Sequence, residues 1–169
     1  MNRNIKTICL ALLLGNIAYA HAEPKQAVVV DYAQGNTWSP QKSASRESSS
    51  SFNGVNIKYQ YETQNGLGVI GGYTQGWVTE KGPFTRYHSI MLGPMLRVAE
   101  EVNLYAQAGM AWVHTDKSSE KTDNPSATAY ALGLQINPLP SVVLDTSWEY
   151  TRLKEVNTGI WMVGVGYRF

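Results

Sequence analysis

The sequence predicts an all-β protein, an eight-stranded antiparallel transmembrane β-barrel of the outer-membrane type. Three observations carry this. The chain opens on an export signal, eight segments alternate apolar with small or polar residues, and the last residue is an aromatic in step with the last alternation. The composition agrees. Only 16% of the 169 residues are charged, while Gly numbers 15, Tyr 10 and Trp 5, an unusual mixture for a water-soluble domain. A net charge of +1 gives no electrostatic footprint for nucleic acid, and one cysteine, Cys9, cannot build a disulfide scaffold.

Arg3 and Lys6 form a positive n-region, the seven residues Ile8–Leu14 an apolar h-region, and small residues follow. That run is far below the ~18–20 residues of a spanning helix. Cleavage sites end at Ala20 and at Ala22. The second is preferred, making residues 1–22 the signal and 23–169 a single barrel domain without cysteine. Losing Arg3 and Lys6 takes the net charge from +1 to −1.

The strands follow in order, each with a period of two and unlike faces. Val28, Val30 and Tyr32 alternate with Val29, Asp31 and Ala33. Val55, Ile57, Tyr59 and Tyr61 alternate with Asn56, Lys58 and Gln60. Leu67, Val69, Tyr73 and Trp77 alternate with Gly68, Ile70, Gly72, Thr74 and Gly76. Ile90, Leu92, Pro94 and Leu96 alternate with Ser89, Met91, Gly93, Met95 and Arg97. Leu104, Ala106, Ala108, Met110 and Trp112 alternate with Asn103, Tyr105, Gln107, Gly109 and Ala111. Tyr130, Leu132, Leu134 and Ile136 alternate with Ala129, Ala131, Gly133 and Gln135. Val142, Leu144, Trp148 and Tyr150 alternate with Val143, Asp145, Ser147, Glu149 and Thr151. Trp161, Val163, Val165, Tyr167 and Phe169 alternate with Met162, Gly164, Gly166 and Arg168. Each run is near the ~9–11 residues that cross a bilayer when tilted. Pro94 removes one ladder hydrogen bond and is expected to mark a bulge.

The connections alternate as well. Thr63–Gly66, Ala99–Glu101 and Asn137–Ser141 are short turns; Asn36–Ser51, Glu80–Arg86 and Lys117–Ser126 are longer and polar; Leu153–Thr158 is short but charged. Short turns at one end, together with both termini, define the periplasmic side, and the longer loops the cell exterior. A soluble ligand-binding barrel would need Lys and Glu on its water-facing side. Here one face is Gly, Ala, Ser, Thr, Asn and Gln, fitting a narrow lumen, and the other is aliphatic with aromatics near strand ends, fitting lipid. At the C-terminus Trp161, Val163, Val165, Tyr167 and Phe169 share a face, a pattern that resembles the signal read by the barrel assembly machinery.

Several segments resemble the Ail/Lom/OmpX family of small outer-membrane proteins. They are Ile57–Glu62, Gly68–Gly71, Gly93-Pro94 with Arg97, Gly133–Pro138, Leu144-Asp145 with Ser147 and Glu149, Gly159, and Val163–Phe169. The resemblance spans the mature chain and implies an eight-stranded barrel whose strands protrude outside the cell. It also implies adhesion to host cells, invasion or complement resistance for some members, and less defined envelope roles for others. This chain departs from the family in its Ser-rich first loop and in Thr115–Ala127, where such roles are encoded.

The inward phase carries Asp31, Asp145 and Glu149 against Lys58, Arg97 and Arg168, expected to form a neutral, hydrogen-bonded plug rather than an ion path. No catalytic motif appears. Adjacent His88 and Ser89 point to opposite faces and cannot pair, and two separate His residues do not make a metal site, so neither enzyme activity nor a cofactor is expected. The expected function is surface adhesion or invasion, with complement resistance, through outer loops. Candidate contacts there are Trp38, Arg46, Phe84, Arg86, Lys117 and Lys121. The alternative is a structural or homeostatic protein that interacts mainly with lipopolysaccharide. Expected partners are outer-membrane lipid and lipopolysaccharide, the assembly machinery, and a host surface, matrix or complement-regulatory protein, contacted by a monomer.

Overall fold

The computed structural model describes residues 25–38, 50–79, 85–115, 126–153 and 156–169. Residues 1–22, Arg46, Phe84, Lys117, Lys121 and the Trp38 side chain lie outside them. Eight strands run in chain order: β1 (Lys25–Trp38), β2 (Ser50–Glu62), β3 (Leu67–Thr79), β4 (Thr85–Ala99), β5 (Val102–Thr115), β6 (Ser126–Leu139), β7 (Val142–Leu153) and β8 (Val156–Arg168). Each pairs antiparallel with the next, and β8 returns to β1, closing the barrel. The closing seam keeps one register from Ala27↔Arg168 to Trp38↔Asn157. Closure satisfies the backbone groups that an open edge would leave bare in lipid.

The strands have 12–15 residues, longer than the 9–11 expected. The apolar alternation stops where lipid contact stops, but the hairpins go on pairing into polar sequence. Asn36↔Ser51 and Thr37↔Ser50 are still in register, as are Trp77↔Arg86 and Arg152↔Asn157. The expected loops therefore shorten, and their outer residues become protruding strand. At the other end the turns are tight. Gly66 takes φ +76° between Thr63 and Leu67, a conformation that glycine adopts without strain, and its carbonyl accepts from Arg97 N at 2.7 Å. Both described chain ends lie at this short-turn end. Phe169 N donates to Gln26 O at 2.9 Å, and Arg168 N to Ser141 O at 3.0 Å.

Pro94 does not mark a bulge. The β4–β5 register is the same on either side of it, Leu92↔Ala108 and Met95↔Tyr105, with no pair at Gly93 and Pro94 between them, and shifts only between Arg97 and Ala99. On the other side Pro94 is paired with Val69 and its ring points outward, so the strand loses a donor without an inserted residue. The irregularity sits at the turn instead, where two strands must converge on Glu100 and Glu101.

Alternation assigns the two faces. Val30, Ile57, Leu92, Leu132, Val163 and Val165 are at least half exposed on the outer wall, whereas Asp31, Asn56, Lys58, Gln135 and Glu149 are buried inside. An apolar exterior around a polar interior inverts the usual order of a water-soluble protein, and such a continuous apolar surface is stable only in lipid.

Candidate functional site

The lumen is filled in layers. Toward the loop end Phe52, Tyr87, Met91, Ile160 and Met162 pack with small alanines, and the Phe52 and Tyr87 rings meet edge to face at 5.4 Å. Gly76 makes this possible, because a Cβ there would stand 2.2 Å from the Phe52 ring. Below lies a polar layer. Lys58 Nζ donates to Asp31 Oδ2 and Asp145 Oδ1, each at 2.7 Å, and to Ser147 Oγ at 3.1 Å, so all three of its N–H groups are used. Asp145 Oδ2 accepts from Tyr105 Oη at 2.9 Å and from Gln135 Nε2 at 3.0 Å. Glu149 makes no ion pair among the described residues. It accepts from the Tyr87 hydroxyl and from Thr74 Oγ1 at 3.1 Å, and Thr74 in turn accepts from Asn56 Nδ2 at 2.8 Å.

The structure thus gathers Asp31, Lys58 and Asp145 into one cluster and leaves Glu149, Arg97 and Arg168 out of it. Arg97 pairs with Glu62 at the turn end, and Arg168 makes no ion pair among the described residues. Glu62 corrects the expected balance, because it is fully buried and, among the described residues, brings the inward acids to four against three bases. It continues the inward phase of Lys58 and Gln60, so extending that alternation by one step would have found it. Tyr87, Tyr105 and Gln135 act as donors to the carboxylates, which a tally of charges overlooks. Bracing strands across a filled interior is what this arrangement can do chemically; an ion path would need water-lined space.

The outer wall carries two aromatic bands. Tyr61, Tyr167 and Phe169 lie at the turn end, with the last two stacked at 6.4 Å. Toward the loops His88 is sandwiched between Tyr73 and Trp112, with centroids 6.1 and 5.8 Å away, and Tyr73 Oη bonds His88 Nδ1 at 2.8 Å. Ser89 is buried on the opposite face, away from His88. One step further up, Arg86 is exposed and paired in register with Trp77 and His114. Trp161, Val163, Val165, Tyr167 and Phe169 form one exposed row along β8.

Across β7, β8 and β1 the registers define successive outward rows. Leu144–Val165–Val30 and Thr146–Val163–Tyr32 are followed by Trp148–Trp161–Gln34 and then Tyr150–Gly159–Asn36. Gly159 contributes no side chain to its row. A groove of about 530 Å³ opens there, lined by Trp148, Trp161, Gln34, Asn36 and the backbone of Gly35 and Gly159.

A closed barrel with a filled polar lumen, an apolar outer wall and two aromatic bands defines the class, an outer-membrane β-barrel. The model of the outer membrane protein beta-barrel domain matches residues 7–169. The chain belongs to the Ail/Lom/OmpX family within that class. It is 34% identical to the attachment invasion locus protein of Yersinia pseudotuberculosis, over 95% of this chain and 92% of that one. It is 37% identical to outer membrane protein X of Enterobacter cloacae, over 69% and 74%. A crystal structure of Ail from Yersinia pestis in complex with the heparin analogue sucrose octasulfate superposes with a TM-score of 0.74. The identity is 33%, and the match covers 88% of this chain and 100% of that one.

Proposed function

We propose that this outer-membrane barrel acts as a surface adhesin, attaching the cell to a host surface or matrix component and aiding survival in complement through its outer loops. The observation that carries this reading is the filled lumen under a closed wall. With buried side chains packed across the lumen and strands held by lipid, the loop end is the part free to carry recognition. The relatives named for attachment and invasion support it. The Ail complex with a sulfated sugar points to a polyanionic ligand, and Arg46, Arg86, Lys117 and Lys121 supply cations for one, with Trp38 and Phe84 as apolar anchors. Both termini are placed in the periplasm, the β8 row serves as the assembly signal, and the protein works as a monomer without catalysis. On the β1–β8 side the strands are paired with each other up to Trp38↔Asn157, so among the described residues that seam offers no open edge to which a partner strand could add.

Expression in a non-adherent, serum-sensitive strain tests this, with attachment and serum survival scored together. Gain of either supports the adhesin reading. Gain of neither at normal surface levels removes it. A second reading, a homeostatic role in contact with lipopolysaccharide, is favoured by the Tyr73–His88–Trp112 stack beneath Arg86 and His114, which aims aromatic and basic groups outward at headgroup height.

A further inference from the structure

We infer that the groove over Gly159 binds the sugar headgroup of a phosphorylated glycolipid from the surrounding leaflet, an inference that rests on the second reading above, in which the loop end meets glycolipid. The depth fits. Gly159 stands ten residues above Phe169, which at ~3.3 Å per residue is about 33 Å of strand. A tilt of roughly 40° makes that about 25 Å of height, the span of the apolar band in such barrels. The groove therefore opens where hydrocarbon gives way to headgroups.

Its chemistry fits a sugar better than an acyl chain or a bare phosphate. Trp161, well exposed and paired in register with Trp148, offers an indole face for the C–H face of a sugar ring, and Trp148, stacked on Tyr150 at 5.8 Å, forms the wall beside it. Gln34 and Asn36, exposed on the opposite wall, offer carboxamides that both donate to and accept from hydroxyl and amide groups. Among the described residues no charged side chain lines the groove itself. Arg152, exposed one row nearer the loops, supplies the cation a headgroup phosphate would meet. Directly below, the groove runs into the lipid-facing rows of Val163 and Val165, so an occupant with acyl chains lies on wall that already contacts lipid. A free glycan would leave those rows uncovered. The notch exists because Gly159 has no side chain between Tyr150 and Asn36, and its backbone is not in the left-handed region, so a valine there fills the notch without a backbone penalty.

The test uses the full barrel in detergent, with native mass spectrometry counting bound lipid after addition of an acylated, phosphorylated glucosamine disaccharide or a phosphatidylethanolamine. We expect one glycolipid retained per wild-type barrel against phospholipid excess. Gly159→Val and Asn36→Leu should each weaken retention at least tenfold, while Ala108→Val, which adds two methyl groups to the outer wall of β5, leaves it unchanged. A heat-modifiable band certifies that each variant is folded. Equal retention by the folded Gly159→Val and Asn36→Leu barrels overturns the site, as does equal retention of phospholipid by the wild type. Failure of the orientation would show separately, as loops inaccessible to protease on intact cells, and would not alter lipid counts in detergent.

Discussion

Lys58 on β2 and Asp145 on β7 lie 2.7 Å apart, nitrogen to oxygen, although 87 positions separate them in the chain and their strands are not neighbours in the sheet. The bond therefore crosses the lumen. With Asp31 on β1 held by the same ammonium, it straps the inner face of the four consecutive strands β7, β8, β1 and β2, across the closing seam. Both side chains are sealed from solvent, so the pair is judged by what its loss leaves behind. An uncompensated buried charge costs about 3–5 kcal/mol, more than the net value of an intact pair.

Lys58→Met should accordingly destabilise the barrel by about 3–5 kcal/mol, because it strands both Asp31 and Asp145. The triple variant with Asp31→Asn and Asp145→Asn should recover most of that loss. Urea unfolding midpoints of the barrel reconstituted in lipid would measure both. A triple variant no more stable than the single one would show that packing of the lysine stem, not charge, is what matters.

Asp145→Ala leaves Lys58 with only Asp31 and Ser147 and removes the acceptor of Tyr105 and Gln135. It should lower stability by a few kcal/mol and still conduct no ions, because Phe52, Tyr87, Ile160 and Met162 fill the loop-side half of the lumen. Planar-bilayer recording decides the second part. Large, stable currents from the wild type would refute the plug.

Gly133→Val tests the space beneath Tyr105. A Cβ at residue 133 would stand 2.1 Å from Cζ of that ring, so the ring must swing away and give up Asp145. A loss of about 2–4 kcal/mol is expected from overpacking plus an abandoned hydrogen bond. Combining it with Tyr105→Ala should cost clearly less than the sum of the two single changes, which denaturation of the four proteins would report.

Deleting Phe169 removes the terminal ring stacked on Tyr167 and the backbone pair with Gln26. Unassembled protein should accumulate in the periplasm. On a gel run without boiling, an undiminished folded band in the deletion strain would count against the assembly signal.

Replacing residues 39–49 and 116–125 with short Gly-Asn turns should leave folding intact, because loop closure costs little and the protruding hairpins keep their register. Attachment or serum survival, where the wild type has it, should vanish. Binding through Arg46, Lys117 and Lys121 should weaken as salt rises, since exposed charges are screened beyond ~8–10 Å. Binding as strong as the wild type from a folded, loop-shortened barrel would move recognition elsewhere.

Much of this molecule was legible from residue order, for a physical reason. A lipid-facing wall and a crowded lumen impose opposite chemistry on alternate residues. Strand identity, the inward placement of Asp31, Lys58 and Asp145, and the outward row from Trp161 to Phe169 therefore all follow from a period of two. Where that constraint lapses, so did the reading. Above the membrane belt polar strand and polar loop look alike, and the extension of β1 to Trp38 and of β4 back to Thr85 rests on cross-strand pairing that no local pattern records. Pro94 was misjudged because a missing donor can be tolerated without a bulge when its neighbours hold the register on both sides.

Partnership across the lumen is the other thing residue order left open. Alternation says that Glu62, Glu149, Arg97 and Lys58 all point inward, but which meet depends on strand tilt and stagger, and these are properties of the closed barrel. Stagger across the one intervening strand put Arg97 against Glu62, while closure gave Glu149 to Tyr87 and Thr74 and set Lys58 between Asp31 and Asp145. The groove over Gly159 has the same origin, since Trp148, Gln34 and Asn36 come from the two ends of the chain and share a surface only because β8 returns to β1. The period of two is a local consequence of the pleat and could be read along the chain, whereas contacts between distant strands follow from how the sheet closes on itself.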